Sequence, residues 1–438
     1  MYAKRWIVAI GLFAFWACGV QAGPVIEQWT APQGSRVLFV KAPGLPLLDA
    51  RVVFAAGSAR DGEQYGVAAL TASLLDAGAG EWDADAIAQR LEGVGAALGG
   101  GASRDSAWLS LRTLTEPDKL AVALETARAV LVQPRFSPKD FQREKQRTLQ
   151  ALKQEEESPA DIAENMYYEA LYGAHPYAHP ASGKPETVAR LKREDVKRFH
   201  RRYYVAKNAL LVLVGDVSRE KAAEIAAALL HGMPEGAAAE ALPPAPDNGA
   251  GTVLRKTFPS AQTHVLSGAP VLPFNDPDYF PLYVGNHILG GSGLVSRIID
   301  EVREKRGLSY SAYSYFQPQA ARGPFTMGLQ TRNNQAEEAV RVLNETLRAF
   351  IADGPTEEEL AAAKKNITGG FVLRIDSNQK IAETVAMIGF YGLALDYLDT
   401  FSARVEAVNR DDIRRVFQAR IRPEAFKTVV VGGEAKTD

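Results

Sequence analysis

Thiol chemistry is almost missing from this 438-residue chain, whose single cysteine is Cys18. One sulfhydryl excludes an intrachain disulfide, a Cys-x-x-Cys redox pair and a thiolate metal cage. Histidine is scarce too. His200, His231, His264 and His287 are scattered and read as packing or surface residues. His175 and His179 stand four apart in His-Pro-Tyr-Ala-His-Pro, but the two prolines forbid a regular helix and no acidic residue lies in the loop. That pair reads as a structural loop. An excess of charge is also lacking: 50 Lys and Arg face 52 Asp and Glu, for a net charge of -2. The basic footprint of a nucleic-acid binder is therefore absent. Past the first 22 residues no apolar run is long enough for a transmembrane helix.

What is present suits a soluble globular protein, with 46% hydrophobic and 23% charged residues on a chain long enough for two or three domains. Residues 1–22 read as a secretory signal. Lys4 and Arg5 precede an apolar stretch from Trp6 to Cys18, and Val20-Gln21-Ala22 offers a small-residue cleavage site before Gly23. An uncleaved anchor is the alternative. A lipoprotein signal at Cys18 is disfavoured by Phe15 and Trp16. Cleavage would remove the only thiol and leave no stable membrane insertion.

Two segments repeat. REDVKRFHRRYYVAKNALLVLVGDV from Arg193 aligns without a gap with RDDIRRVFQARIRPEAFKTVVVGGE from Arg410. Arg193, Asp195 and Arg198 match Arg410, Asp412 and Arg415; Val212, Val214 and Gly215 match Val429, Val431 and Gly432. In both, an amphipathic helix runs into an apolar strand that stops at glycine. An internal duplication explains this better than chance. The Ala- and Pro-rich stretch 236–250, with Pro243, Pro244 and Pro246, reads as a linker between a domain at 23–235 and a domain at 251–438. The first half is expected to hold a strand at Ala50–Ala56, helices at Gly66–Ala77, Asp83–Val94 and Pro117–Val132, and a strand at Ala107–Leu114. Gly99-Gly100-Gly101 is expected to be a turn. The order implies α+β domains with helices on one face of each sheet.

Several pieces carry a family resemblance. They are Ala55-Ala56-Gly57-Ser58-Ala59-Arg60-Asp61, Gly66-Val67-Ala68, His175-Pro176-Tyr177, Tyr203 through Val217, Leu289-Gly290-Gly291-Ser292-Gly293, Ser296-Arg297 and REKRGLSYSAYSYF from Arg303. In this order and spacing the chain resembles the M16 peptidases, the clan of pitrilysin and the mitochondrial processing peptidase. The likeness covers nearly the whole chain after the signal and is to the short bacterial type. It implies two homologous M16 domains in an antiparallel-rich α+β fold, and assembly of two chains around a peptide chamber.

An active member carries H-x-x-E-H on its first helix: two histidines on one face bind zinc, and the glutamate is the general base. Here Ala69 stands for the first histidine, Ala72 for the glutamate and Ser73 for the second histidine. Ala151 falls where the distal glutamate ligand is expected, with Glu144 and Glu155 nearby. Methyl groups cannot coordinate a cation, so no zinc and no independent hydrolysis are expected of this chain. In the second half the resemblance points to Arg303 and Tyr310 as residues that hold a substrate backbone. Guanidinium and phenol donors can do so without reading side chains. Arg306 competes for the arginine role. Without the resemblance, Arg303 reads as a surface cation and Tyr310 as an interface or core aromatic. The Gly290–Gly293 loop lacks the Lys-Ser/Thr of a phosphate loop and reads as a tight entry to a helix near Leu294. Tyr310 to Phe316 reads as a strand whose edge could take an extended peptide, or whose aromatics simply pack. The expected function is the non-catalytic, substrate-binding subunit of a periplasmic zinc peptidase. A homologous partner would carry H-x-x-E-H, zinc and the base. The alternatives are a scaffold or peptide-binding module without a peptidase partner, and a peptidase with an unusual metal site.

Overall fold

A computed structural model of the chain describes residues 24–247 and 249–433. The expected signal and its cleavage point lie outside the described residues. Among those described, no helix is long and apolar enough to cross a membrane. The first half contributes β1 (Ile26–Thr30), β2 (Arg36–Lys41), β3 (Leu47–Phe54), a two-residue hairpin of β4 (Gly78–Ala79) and β5 (Trp82–Asp83), then β6 (Ala97–Ala102), β7 (Ala107–Leu114) and β8 (Ala209–Gly215). The second half contributes β9 (Thr252–Lys256), β10 (Ser260–Leu272), β11 (Ser309–Phe316), β12 (Gly323–Arg332) and β13 (Lys427–Gly433).

The main strands form two sheets, ordered β1-β2-β8-β3-β7-β6 and β11-β12-β10-β13-β9. Read backwards, the second matches β2-β8-β3-β7-β6 strand for strand. Each has one parallel pair, β2 with β8 and β9 with β13, and is otherwise antiparallel. Two related α+β halves are thus present.

The repeated residues do the same work in both. Asp195 and Asp412 each sit three residues into a helix, Arg193–Tyr203 and Arg410–Arg420. Each folds back to accept from the amide before the helix, that of Lys192 at 2.8 Å and of Asn409 at 3.4 Å. Arg198 and Arg415 pair with them one turn on. Arg193 donates to the Phe136 carbonyl and Arg410 to the Pro355 carbonyl, and each of those carbonyls immediately precedes the Ser137 or Thr356 that caps another helix.

Sheet faces follow the period-2 alternation of strands. In the first sheet Val37, Phe39, Leu211 and Leu213 point into the core of their own half. Leu38, Val40, Leu210, Val212 and Val214 belong instead to the core of the second half. The cause is an exchange of helices. Asn378–Tyr391, from the second half, lies across β8 and β3, and Pro159–Tyr172, from the first, lies across β10 and β13. So, beyond the helices that each half packs on its own sheet, the second face receives one helix from the other half. Gly389 permits the first crossing, since a Cβ there would sit 2.5 Å from Leu38 and 2.8 Å from Leu210. In the second, Tyr167 lies within 3.2 Å of the Phe325 carbonyl and Tyr172 donates to the Arg322 carbonyl at 3.0 Å.

A buried carboxylate ties the halves together. Asp105 accepts from Tyr177, from Tyr391 at 2.9 Å and from the Ala320 amide at 2.9 Å. Stretch 236–250 has neither helix nor strand among its described residues, yet it is held: His175 Nε2 meets the Pro243 carbonyl at 3.0 Å, and Arg322 donates to the Ala245 carbonyl at 2.7 Å.

The helix Pro117–Val132 and the strand Ala107–Leu114 fall as expected, and β3 starts three residues earlier than expected. The Gly99–Gly101 turn is overturned. These glycines lie inside β6, paired with Ser110, Leu109 and Trp108, and the turn is at Ser103–Ser106. A Cβ at Gly101 would sit 2.9 Å from the Trp108 ring and one at Gly100 2.8 Å from the Trp108 carbonyl. Close approach to a large neighbour, rather than a reversal, uses the glycines.

Candidate functional site

The first helix after β3 spans Val67–Ser73, shorter than the expected Gly66–Ala77. Gly66 precedes it at φ 97°, and Asp61 caps it by accepting from the Gly66 amide at 2.7 Å and the Ala68 amide at 2.9 Å. Burial pushes the Asp61 carboxyl up to about 8, while the two amides pull the other way. Ala69 is half-buried, Ala72 is buried and Ser73 is exposed. The one hydroxyl in the set donates to the Leu70 carbonyl at 3.1 Å. Helix Pro138–Glu155 packs against this helix, with Ala151 exposed on it. The nearby Glu144 is neutralised by arginine, with Arg143 at 3.2 Å and Arg147 at 3.5 Å. Glu155 ends the helix and accepts from Ser182 at 3.4 Å. Among the described residues no group of three or more His, Cys, Asp or Glu converges as metal ligands would. The residues at the expected zinc position do not fit that ion.

The two close histidines are packed. Tyr177 donates its amide to His175 Nδ1 at 3.1 Å, so His175 carries its proton on Nε2 and gives it to Pro243. His179 stacks on Tyr65 with centroids 4.1 Å apart. Burial lowers the pKa of both.

The second half is equipped differently. A cavity of about 690 Å³ opens between β11 and the helix Tyr279–Asn286 with its continuation His287–Gly291. Both Arg303 and Tyr310 line it. The guanidinium carbon of Arg303 lies 4.6 Å from the Tyr310 ring centroid, and Tyr310 is 82% exposed. Arg306 is held elsewhere, by the Glu301 carboxylate and by the Glu301 carbonyl at 2.8 Å. Two segments of the wall, His287–Gly291 and Asp300–Glu304, wind as π-helix, a rare local form that recurs at functional sites.

β11 is an edge strand, but part of that edge is occupied. Asn286 Nδ2 donates to the Ser314 carbonyl at 3.1 Å, and Ser314 Oγ donates to Asn286 Oδ1 at 2.7 Å. Gly290 lets the wall approach, because a Cβ there would lie 2.3 Å from Ser314 Oγ. An added strand thus finds no free edge at Ser314. The glycine loop leads into a single 3-10 turn, and the helix proper starts at Arg297, capped by Ser296, three residues later than expected.

Sequence reasoning missed Arg374, Tyr283 and Asn286. Arg374 lines the same cavity and donates to the Tyr283 hydroxyl at 2.6 Å. No local spacing links these residues to Arg303; only the fold brings them together.

Comparison with known proteins gives consistent matches over both halves. Residues 36–184 match the model described as Insulinase (Peptidase family M16), and residues 190–367 match Peptidase M16 inactive domain. The solved structure of a peptidase M16 inactive domain from Pseudomonas fluorescens is 35% identical, covers 94% of this chain and 99% of its own, and has a TM-score of 0.91. A Helicobacter pylori protein named non-peptidase homolog YmxG is 26% identical over 99% of both chains. An uncharacterized zinc protease of Mycobacterium leprae is 28% identical over 80% of this chain and 79% of its own.

Proposed function

The chain belongs to peptidase family M16, and on that premise we propose that it is the metal-free, substrate-binding subunit of a two-chain zinc peptidase. The carrying observation is a contrast within one molecule. The helix that should hold zinc offers Ala69, Ala72 and Ser73, while the other half keeps an open cavity with Arg303 and Tyr310 on its wall. A homologous partner with H-x-x-E-H supplies the metal and the glutamate base. This chain closes the chamber and grips peptide carbonyls through the guanidinium of Arg303 and the hydroxyl of Tyr310. Arg303 is preferred to Arg306 because Arg303 lines the cavity, whereas Arg306 is turned to Glu301. The substrates are peptides or unfolded segments, and the periplasm is the compartment, on the reading of residues 1–22 as an export signal.

The test mixes the purified chain with a motif-bearing homologue and follows cleavage of unstructured peptides. The mixture should cleave where this chain alone does not, and Arg303→Ala or Tyr310→Phe should lower the rate. Unchanged rates with both variants would falsify the site. A chain that only self-associates and leaves the homologue's rate untouched would be a scaffold.

A further inference from the structure

The cavity beside β11 carries charge of one sign. Among the described residues its wall includes Arg303 and Arg374 but no aspartate or glutamate. The nearest carboxylate of Arg303 is its own chain neighbour, Glu304, at 3.4 Å. Arg374 is exposed and rests beside the Tyr283 ring, 5.7 Å from its centroid. Among the described residues it has no carboxylate at ion-pair distance, and the closest acid in sequence, Asp376, is paired with Lys380 at 2.9 Å. The charge of Arg374 reaches into the site: His287 has its pKa lowered by burial first and by Arg374 second.

The rest of the wall mixes apolar side chains with the uncharged polar groups of Asn286, Ser311 and Ser314 and with tyrosines. Leu272, Leu282, Ile299, Ala312 and Phe316 line it. At the mouth Leu294 is 68% exposed, beside Val295, and Val372 and Leu373 stand exposed directly before Arg374. Apolar side chains on the floor, with two guanidinium groups and no carboxylate on the wall, complement a ligand that joins a large apolar group to a carboxylate. Large apolar groups gain by leaving water, and a carboxylate gains from planar, paired N–H donors.

We infer that the cavity selects peptides in which a large apolar side chain is flanked by a carboxylate, and that Arg374 sets the charge preference. This rests on the peptide-binding reading above and assigns that site a substrate class. Arg303 and Tyr310 hold the backbone, Arg374 reads the charge, and the wall from Leu272 to Phe316 takes the apolar side chain. The carboxylate is that of an acidic side chain or of a chain terminus.

The experiment uses the full-length chain and fluorescent, unstructured decapeptides. Three are amidated and carry an internal Phe-Glu, Phe-Gln or Phe-Lys; a fourth ends on Phe with a free carboxylate. Fluorescence anisotropy at low salt should show the Phe-Glu peptide, the free-terminus peptide or both binding about 10-fold more tightly than Phe-Gln, with Phe-Lys weakest. Which of the two gains identifies the source of the carboxylate. The preference should shrink in 0.5 M salt, as expected of exposed charges. Arg374→Gln should bring the Phe-Glu to Phe-Gln affinity ratio to about one, and Arg374→Lys should restore part of the preference. Equal affinities for Glu and Lys peptides, or a preference that survives Arg374→Gln, overturn the inference and leave the peptide-binding reading standing. A wild-type chain that binds none of the four peptides overturns both.

Discussion

The helix Val67–Ser73 and the cavity beside β11 occupy different halves of one repeated fold, and they differ in what their polar groups face. In the first, the ionisable group at hand is Asp61, and its oxygens are turned inward onto the amides of Gly66 and Ala68. Ser73 likewise spends its proton on a carbonyl. Everything polar there serves the backbone. In the second, Arg303, Tyr310 and Arg374 line open space. One repeated frame can thus carry two differently equipped surfaces, because frame and site use different atoms.

Four experiments break or sharpen that contrast. Restoring imidazoles should have the largest effect. Ala69→His with Ser73→His places two ligands one turn apart, and the double variant should bind zinc with a Kd of tens of micromolar, roughly 6 kcal/mol, where the parent retains none after dialysis. Failure to take up metal would show that the helix lost more than its side chains. Asp105→Ala comes next. It leaves the Tyr177 and Tyr391 hydroxyls and the Ala320 amide without their acceptor, at a cost of about 3–5 kcal/mol. The urea midpoint should fall and the halves should begin to unfold separately; a single, unmoved transition would deny the coupling between them.

Asp61 gives a pH signature. Its folded pKa of about 8 lies above the ordinary carboxyl value of 3.8, so between those pH values the folded chain holds a proton that the unfolded chain has released. Stability from this group is full below about pH 4, declines by up to about 1.4 kcal/mol per unit as pH rises, and levels off above about pH 8. Asp61→Asn should flatten that slope in urea titrations across pH. The smallest effects concern the exchanged helices. Ser158 and Ser377 cap Pro159–Tyr172 and Asn378–Tyr391 through the Asp161 and Lys380 amides. Each Ser→Ala change should cost about 1 kcal/mol by thermal or urea unfolding, and similar values would mark the two helices as equivalent.

Local chemistry made part of this readable in advance. Alternation in Ala107–Leu114 and the proline-led periodicity of Pro117–Val132 delimit those elements to the residue. The matched Asp195 and Asp412 flagged the repeat because capping is a short-range act. The glycine triplet misled, since a glycine needed to clear Trp108 looks in sequence like one needed for a bend. Nor could sequence show that Leu38 and Leu210 rest against Gly389 of the other half, because alternation marks a buried face but not its partner. Arg303 and Tyr310 came from family likeness, whereas Arg374 became visible only when folding carried it to the same wall.

The crossed helices also govern how the molecule is made. When synthesis has completed β8, the strand face bearing Leu38, Val40, Leu210 and Val212 has no cover, and its cover is not yet translated. The nascent chain must carry that bare, sticky surface until residues as distant as Tyr391 emerge. A truncated first half would therefore aggregate, because nothing in it can cover that face.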